Sequence, residues 1–114
     1  MPIHPEYAGQ RLYFHPDYLE PVRGGAKNAT IRHRDPVNPG PADLVFQTDP
    51  EVVLAGEVTS VSAKRLADVT DEEAVAAGNR DHADLLGRLP RHYPDITGDD
   101  EVTIVHFRVL PQRA

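Results

Sequence analysis

Cysteine and tryptophan are both missing from the 114 residues of this chain, and methionine occurs once. Without a thiol there is no disulfide framework, no sulfur nucleophile and no cysteine-held zinc or iron–sulfur centre. Aromatic residues are sparse at 6% and the hydrophobic share is 39%, so the core is small. No apolar run approaches the roughly 20 residues that a membrane helix needs. The opening Met1-Pro2-Ile3-His4-Pro5-Glu6 has neither the basic nor the apolar region of a secretory signal, so a cytoplasmic, membrane-free protein is expected. Histidines stand at 4, 15, 33, 82, 92 and 106 with no ligand-like spacing, and neither a metal nor a cofactor is expected. Positive charge is in deficit too, with a net charge of −6, which argues against a protein that coats nucleic acid indiscriminately.

What is there reads as one domain with many turns, the chain carrying 8 Gly and 11 Pro. Segment 10–14 predicts a first strand, broken by His15-Pro16-Asp17. Tyr18, Leu19 and Val22 form a short helical face that Pro21 limits and Gly24-Gly25 stops. Segment 29–34 alternates as a half-buried strand, with Ile31 on one side and Thr30 and Arg32 on the other. After a proline-rich loop over 35–41, strands are expected at 43–47 and 52–62, the latter long and β-branched with a bulge or bend at Gly56. Thr70 and Glu73 have capping-box spacing and start a helix that Gly78 ends; a second helix spans 81–89, and a last strand 101–110 puts Val102, Ile104 and His106 on one face. The expectation is an α+β fold, a closed or nearly closed β-barrel of about five to six strands with two or three short flanking helices. No βαβ alternation is present, which removes Rossmann and P-loop folds.

Charge is concentrated. Arg11, Arg23, Lys27, Arg32 and Arg34 stand against only Asp17 and Glu20 between positions 11 and 34, a basic segment on an acidic body. Its glycine turn delivers Lys27, and the strand after it delivers Thr30 and Arg32 on one face, so three polar groups converge if the turn bends. A desolvated Lys27 near Arg32 has a lowered pKa and becomes a base able to activate the Thr30 hydroxyl. An enzyme of this kind predicts Lys27 and Thr30 within hydrogen-bond reach in a concave pocket. A binding module predicts a wider groove with Lys27 solvated and Arg34 and Arg11 alongside. Tyr13, Phe14 and Tyr18 are placed to stack on a base, and His106 to line the barrel. A protein-interaction adaptor, using the acidic stretch 66–101, is a third reading.

The run from Phe14 to Arg32, with its short helix, Gly25-Ala26-Lys27 turn and Thr30-Ile31-Arg32 strand, resembles the opening of the ASCH domain. Glu57-Val58-Thr59-Ser60-Val61, the helix ending in Gly78, the Tyr93-Pro94 pair and Val105-His106-Phe107 follow in the family's order. The resemblance covers 8–111 as a single domain, with 1–7 as an N-terminal extension, and implies a PUA-like barrel associated with RNA. Small bacterial members include an N4-acetylcytidine amidohydrolase. By that resemblance Lys27 is the base, Thr30 the nucleophile and Arg32 a brace for the site or substrate; Arg34, Tyr18 and His106 are expected as further substrate contacts from their own placement in the chain. The family's third catalytic residue, a Glu near the end of the later helix, falls at Ala77, leaving Glu73 or Asp81 to replace it. The implied function is binding of a nucleoside or RNA element, with amide hydrolysis of N4-acetylcytidine as its most specific form. The alternative is a non-catalytic RNA-binding or coregulator-type module.

Overall fold

A computed structural model describes residues 10–112, so the expected extension at 1–7 lies outside the described residues. Five strands form one sheet: β1 (Arg11–Phe14), β2 (Ala29–Arg32), β3 (Gly40–Phe46), β4 (Val52–Arg65) and β5 (Glu101–Val109). Their spatial order is β1-β3-β4-β5-β2, which puts the two earliest strands at opposite edges. β1 runs parallel to β3, Leu12 opposite Leu44 and Phe14 opposite Phe46, and the other pairings are antiparallel. The backbone ladder is therefore an open, curled half-barrel, and a side chain bridges its seam: Arg32 of β2 donates from Nη2 to the Tyr13 carbonyl of β1 at 2.9 Å.

Two clusters of apolar side chains lie on either side of the sheet. Inside the curl, Leu12, Phe14, Leu44, Phe46, Val58, Val105 and Phe107 pack with Val22 of the first helix, and Phe14 stacks on Phe46 at 5.1 Å between ring centroids. Outside it, Ala29, Ile31, Val102 and Ile104 bury the helices after β4 through Ala74, Leu85 and Leu89. β5 serves both clusters because successive side chains alternate faces, so its Val102 and Ile104 go one way and its Val105 and Phe107 the other.

Three short helices flank the sheet: α1 (Leu19–Arg23), α2 (Asp71–Ala76) and α3 (His82–Arg88). α1 follows a 3-10 turn over Pro16–Tyr18, and α2 opens with the expected capping box, Thr70 Oγ1 accepting from the Glu73 N–H while the Glu73 carboxylate accepts from the Thr70 N–H. Asp81 caps α3 by accepting from the Asp84 N–H at 2.9 Å.

β2 ends at Arg32, two residues short of the expected 34, β4 runs three residues past the expected 62 to Arg65, and two further expectations on the strands are corrected. β3 starts three residues earlier than the expected 43, at Gly40, because the Gln10 amide holds Asn38 and Pro41 against β1 by three hydrogen bonds. The irregularity in β4 lies between Val58 and Ser60 and not at Gly56. The unpaired Thr59 reverses the inward parity, so Leu54, Gly56 and Val58 face the core before it and Val61 after it. Gly56 answers a different demand: a Cβ there would lie 2.8 Å from the Leu44 side chain.

Candidate functional site

Lys27 is the residue this part of the chain is built to hold. α1 ends on Gly24, Gly25 turns with φ +86°, and the Lys27 N–H donates back to the Pro21 carbonyl at 2.9 Å. The next residue, Asn28, donates to Ala76 at the end of α2 and accepts from Phe107 of β5. The turn thus ties α1, α2 and β5 together and sends the lysine stem inward. Its ammonium donates to the Ala77 carbonyl and lies 4.6 Å from the centre of the Tyr18 ring. Gly78 lies against this stem with φ +94°; a Cβ there would sit 3.4 Å from Lys27 Cδ.

Lys27 and Thr30 are the buried polar residues among the described ones, at 5% and 6% exposure. Burial pushes the Lys27 pKa down first, and the nearby Arg32 and Arg88 guanidinium groups push it further, from 10.5 to about 7. Thr30 Oγ1 accepts from Arg32 Nε at 2.9 Å. The same guanidinium reaches Asp35 at 3.2 Å and the Tyr13 carbonyl, and its carbon lies 5.1 Å from the Phe14 ring centre. A hydroxyl arranged in this way keeps its own proton free to donate while a cation faces its oxygen. The Lys27–Thr30 hydrogen bond expected of an enzyme is not made, the ammonium bonding Ala77 and the hydroxyl oxygen Arg32.

Both side chains open onto a cleft of about 280 Å³ at the barrel seam. β1 contributes Tyr13 and Phe14, with His15 just beyond it; β2 contributes Thr30, Ile31 and Arg32; Tyr18 and Ala77 close two sides. α3 and the turn after it present Leu85, Arg88, Leu89, His92 and Tyr93, and Gln47 and Asn79 add two amides. Among the described residues no Asp or Glu lines this cleft, although acidic residues outnumber basic ones 18 to 12 in the chain.

The structure brings together Lys27, Thr30, Arg32 and Tyr18 and leaves Glu73, Arg34 and His106 outside the cleft. Glu73 Oε1 is taken up by the Thr70 N–H at 2.8 Å and Lys64 Nζ at 2.9 Å. Burial would raise the Glu73 carboxyl, but these partners outweigh it and hold the group below its ordinary range. Asp81, the other stand-in for the missing Glu, is occupied as the α3 cap. Arg34 is exposed on a turn with φ +55°. His106 pairs with Ala29 whereas Thr30 pairs with Val105, so strand parity places His106 on the sheet face opposite Thr30.

Arg88, Asn79, His92 and Tyr93 were not among the expected site residues. The available signal was the helical spacing of Leu85, Arg88 and Leu89, which puts an arginine on the apolar face of α3, and an Asp84–Arg88 pair that holds its Nε at 3.2 Å.

Half-barrel and flanking helices define a small α+β fold, and solved structures share that fold. An ASCH domain from Lactobacillus crispatus superposes with a TM-score of 0.63 at 18% identity, covering 88% of this chain and 78% of its own. An ASCH protein from Zymomonas mobilis gives 0.56 at 19% identity, covering 86% and 67%. A hypothetical protein gives 0.67 at 14% identity, covering 89% and 98%. No protein-family model and no curated protein matches the sequence. The chain has the fold of the ASCH domain proteins, as its motifs led one to expect. No described helix is long and apolar enough to cross a membrane.

Proposed function

We propose that this chain binds a nucleoside, or an unpaired nucleotide of RNA, in the seam cleft, acting in the cytoplasm. One observation carries the reading: the two buried polar side chains, Lys27 and Thr30, open onto the same concavity as the rings of Tyr13, Phe14, Tyr18 and Tyr93. A planar base stacked on such a ring gains about 1–3 kcal/mol. The Gln47 and Asn79 amides supply donors and acceptors for its edge; Asn79 already donates to the Ala74 carbonyl, which leaves its oxygen to accept.

Hydrolysis of an N4-acylated cytidine is the second reading, favoured by the lowered proton affinity of Lys27. A lysine with pKa about 7 is half neutral at that pH and can then take the Thr30 proton as Oγ1 attacks the acyl carbon. The cytosine amine leaves with the proton that Lys27 carries, and water then releases acetate from the Thr30 ester. Arg32 would face the developing charge. No carboxylate takes part.

Calorimetric titration with cytidine and N4-acetylcytidine, beside an acetate-release assay on wild type, Lys27→Ala and Thr30→Ala, tests both readings. Binding without release supports recognition alone, as in a non-catalytic RNA-binding module. Release that both substitutions abolish supports the amidohydrolase, and absence of both binding and release overturns the proposal.

A further inference from the structure

A buried cation without a counter-ion asks for one. Lys27 is 5% exposed and, among the described residues, bonds only a neutral carbonyl and forms no ion pair. Arg32 and Arg88 share its cleft, each already held by one carboxylate from outside the lining, Asp35 and Asp84 respectively. Two arginines balanced by two aspartates leave the charge of Lys27 uncompensated. Among the described residues the lining contains no acidic side chain to repel an anion.

Donors remain to hold one. Lys27 has three N–H groups and spends one on Ala77, while Arg88 engages Asp84 through Nε and keeps both terminal nitrogens. We propose that the cleft's ligand carries a phosphate group seated between Lys27 and Arg88, making the ligand a single nucleotide and not a neutral nucleoside. This rests on the nucleoside reading above and adds a charge requirement to it. The cleft volume of about 280 Å³ lies at the lower end of small-ligand sites, which fits one nucleotide and excludes a dinucleotide from full enclosure. Charge-assisted bonds from ammonium and guanidinium to phosphate are among the strongest that a site of this size can offer. Because an anion favours the protonated amine, the phosphate contribution weakens as pH rises through the Lys27 value of about 7.

The test is calorimetry at pH 6.5 with cytidine, cytidine 5′-monophosphate, inorganic phosphate and a cytidine trinucleotide, on wild type, Lys27→Met and Arg88→Gln. The monophosphate is expected to bind at least about tenfold more tightly than cytidine, and inorganic phosphate to compete. Lys27→Met should bring the two ligands within about twofold of each other, and Arg88→Gln should shrink the gap part-way. A trinucleotide preferred over the monophosphate, with the same Lys27 dependence, supports the phosphate seat, assigns its source to RNA and overturns the single-nucleotide ligand. Equal binding of cytidine and monophosphate to wild type overturns the phosphate seat and leaves the nucleoside reading intact. Binding of neither overturns both. Thermal unfolding checks that Lys27→Met folds; if it does not, Arg88→Gln, at the partly exposed rim, decides alone, and an unchanged preference there overturns the inference.

Discussion

Lys27 titrates in the wrong place for a lysine, and stability should register it. The unfolded side chain holds its proton to its ordinary 10.5, whereas the folded one releases it at about 7. Between those values the unfolded chain binds more protons, so stability rises with pH; below 7 both states are protonated and the full penalty applies. The ceiling of that penalty is about 5 kcal/mol. Removing the lysine leaves the Ala77 carbonyl unpaired, at a cost of about 1–3 kcal/mol. Lys27→Met should therefore be more stable than wild type at pH 6 and lose that advantage by pH 10, read by denaturant unfolding across pH. A gap that does not change with pH would mean that Lys27 titrates normally. At this scale the sequence was informative, because a Gly-rich turn followed by Thr-x-Arg on a strand fixes which side chains are offered together. His106 was misplaced because its face depends on which β2 residue stands opposite it, and no local pattern carries that register.

At the scale of elements, α2 shows what Glu73 does. Its carboxylate completes the capping box and pairs with Lys64 of β4, so it fastens a six-residue helix to the sheet. Glu73→Ala is expected to cost about 1–2 kcal/mol in denaturant unfolding and to leave nucleoside affinity within about twofold of wild type. A large loss of affinity in a variant of unchanged stability would return Glu73 to the site. Gly78, where α2 turns away, is different. Gly78→Ala strains a backbone at φ +94° and crowds the lysine stem, so it should cost about 1 kcal/mol or more and weaken binding with it. The capping box and the glycine stop are local signals and could be read directly. That α3 lends Leu85 and Arg88 to the cleft could not, since helical spacing reveals an apolar face without naming what it covers.

Taken whole, the molecule is a sheet whose edges meet through one guanidinium. Arg32 spans from Thr30 beside it to Asp35 and to the Tyr13 carbonyl across the seam. Arg32→Met removes all three bonds and leaves that carbonyl without its partner, at a cost of about 2–4 kcal/mol. Hydrogen exchange should localise the loss to β1 and β2 and spare β3 and β4; uniform destabilisation would mean that the seam is closed by packing alone. The strands and helices were legible in outline, as was barrel-like closure. The order β1-β3-β4-β5-β2 was not, because pairing between distant segments has no local sequence cost.

That order also has a temporal side. A ribosome delivers Tyr13, Lys27, Thr30 and Arg32 early, yet β1 lacks its partner until β3 exists and β2 lacks its own until β5 is made. The cleft consequently waits on β5, and a polypeptide stalled before Glu101 would carry every residue that lines the site without possessing the site.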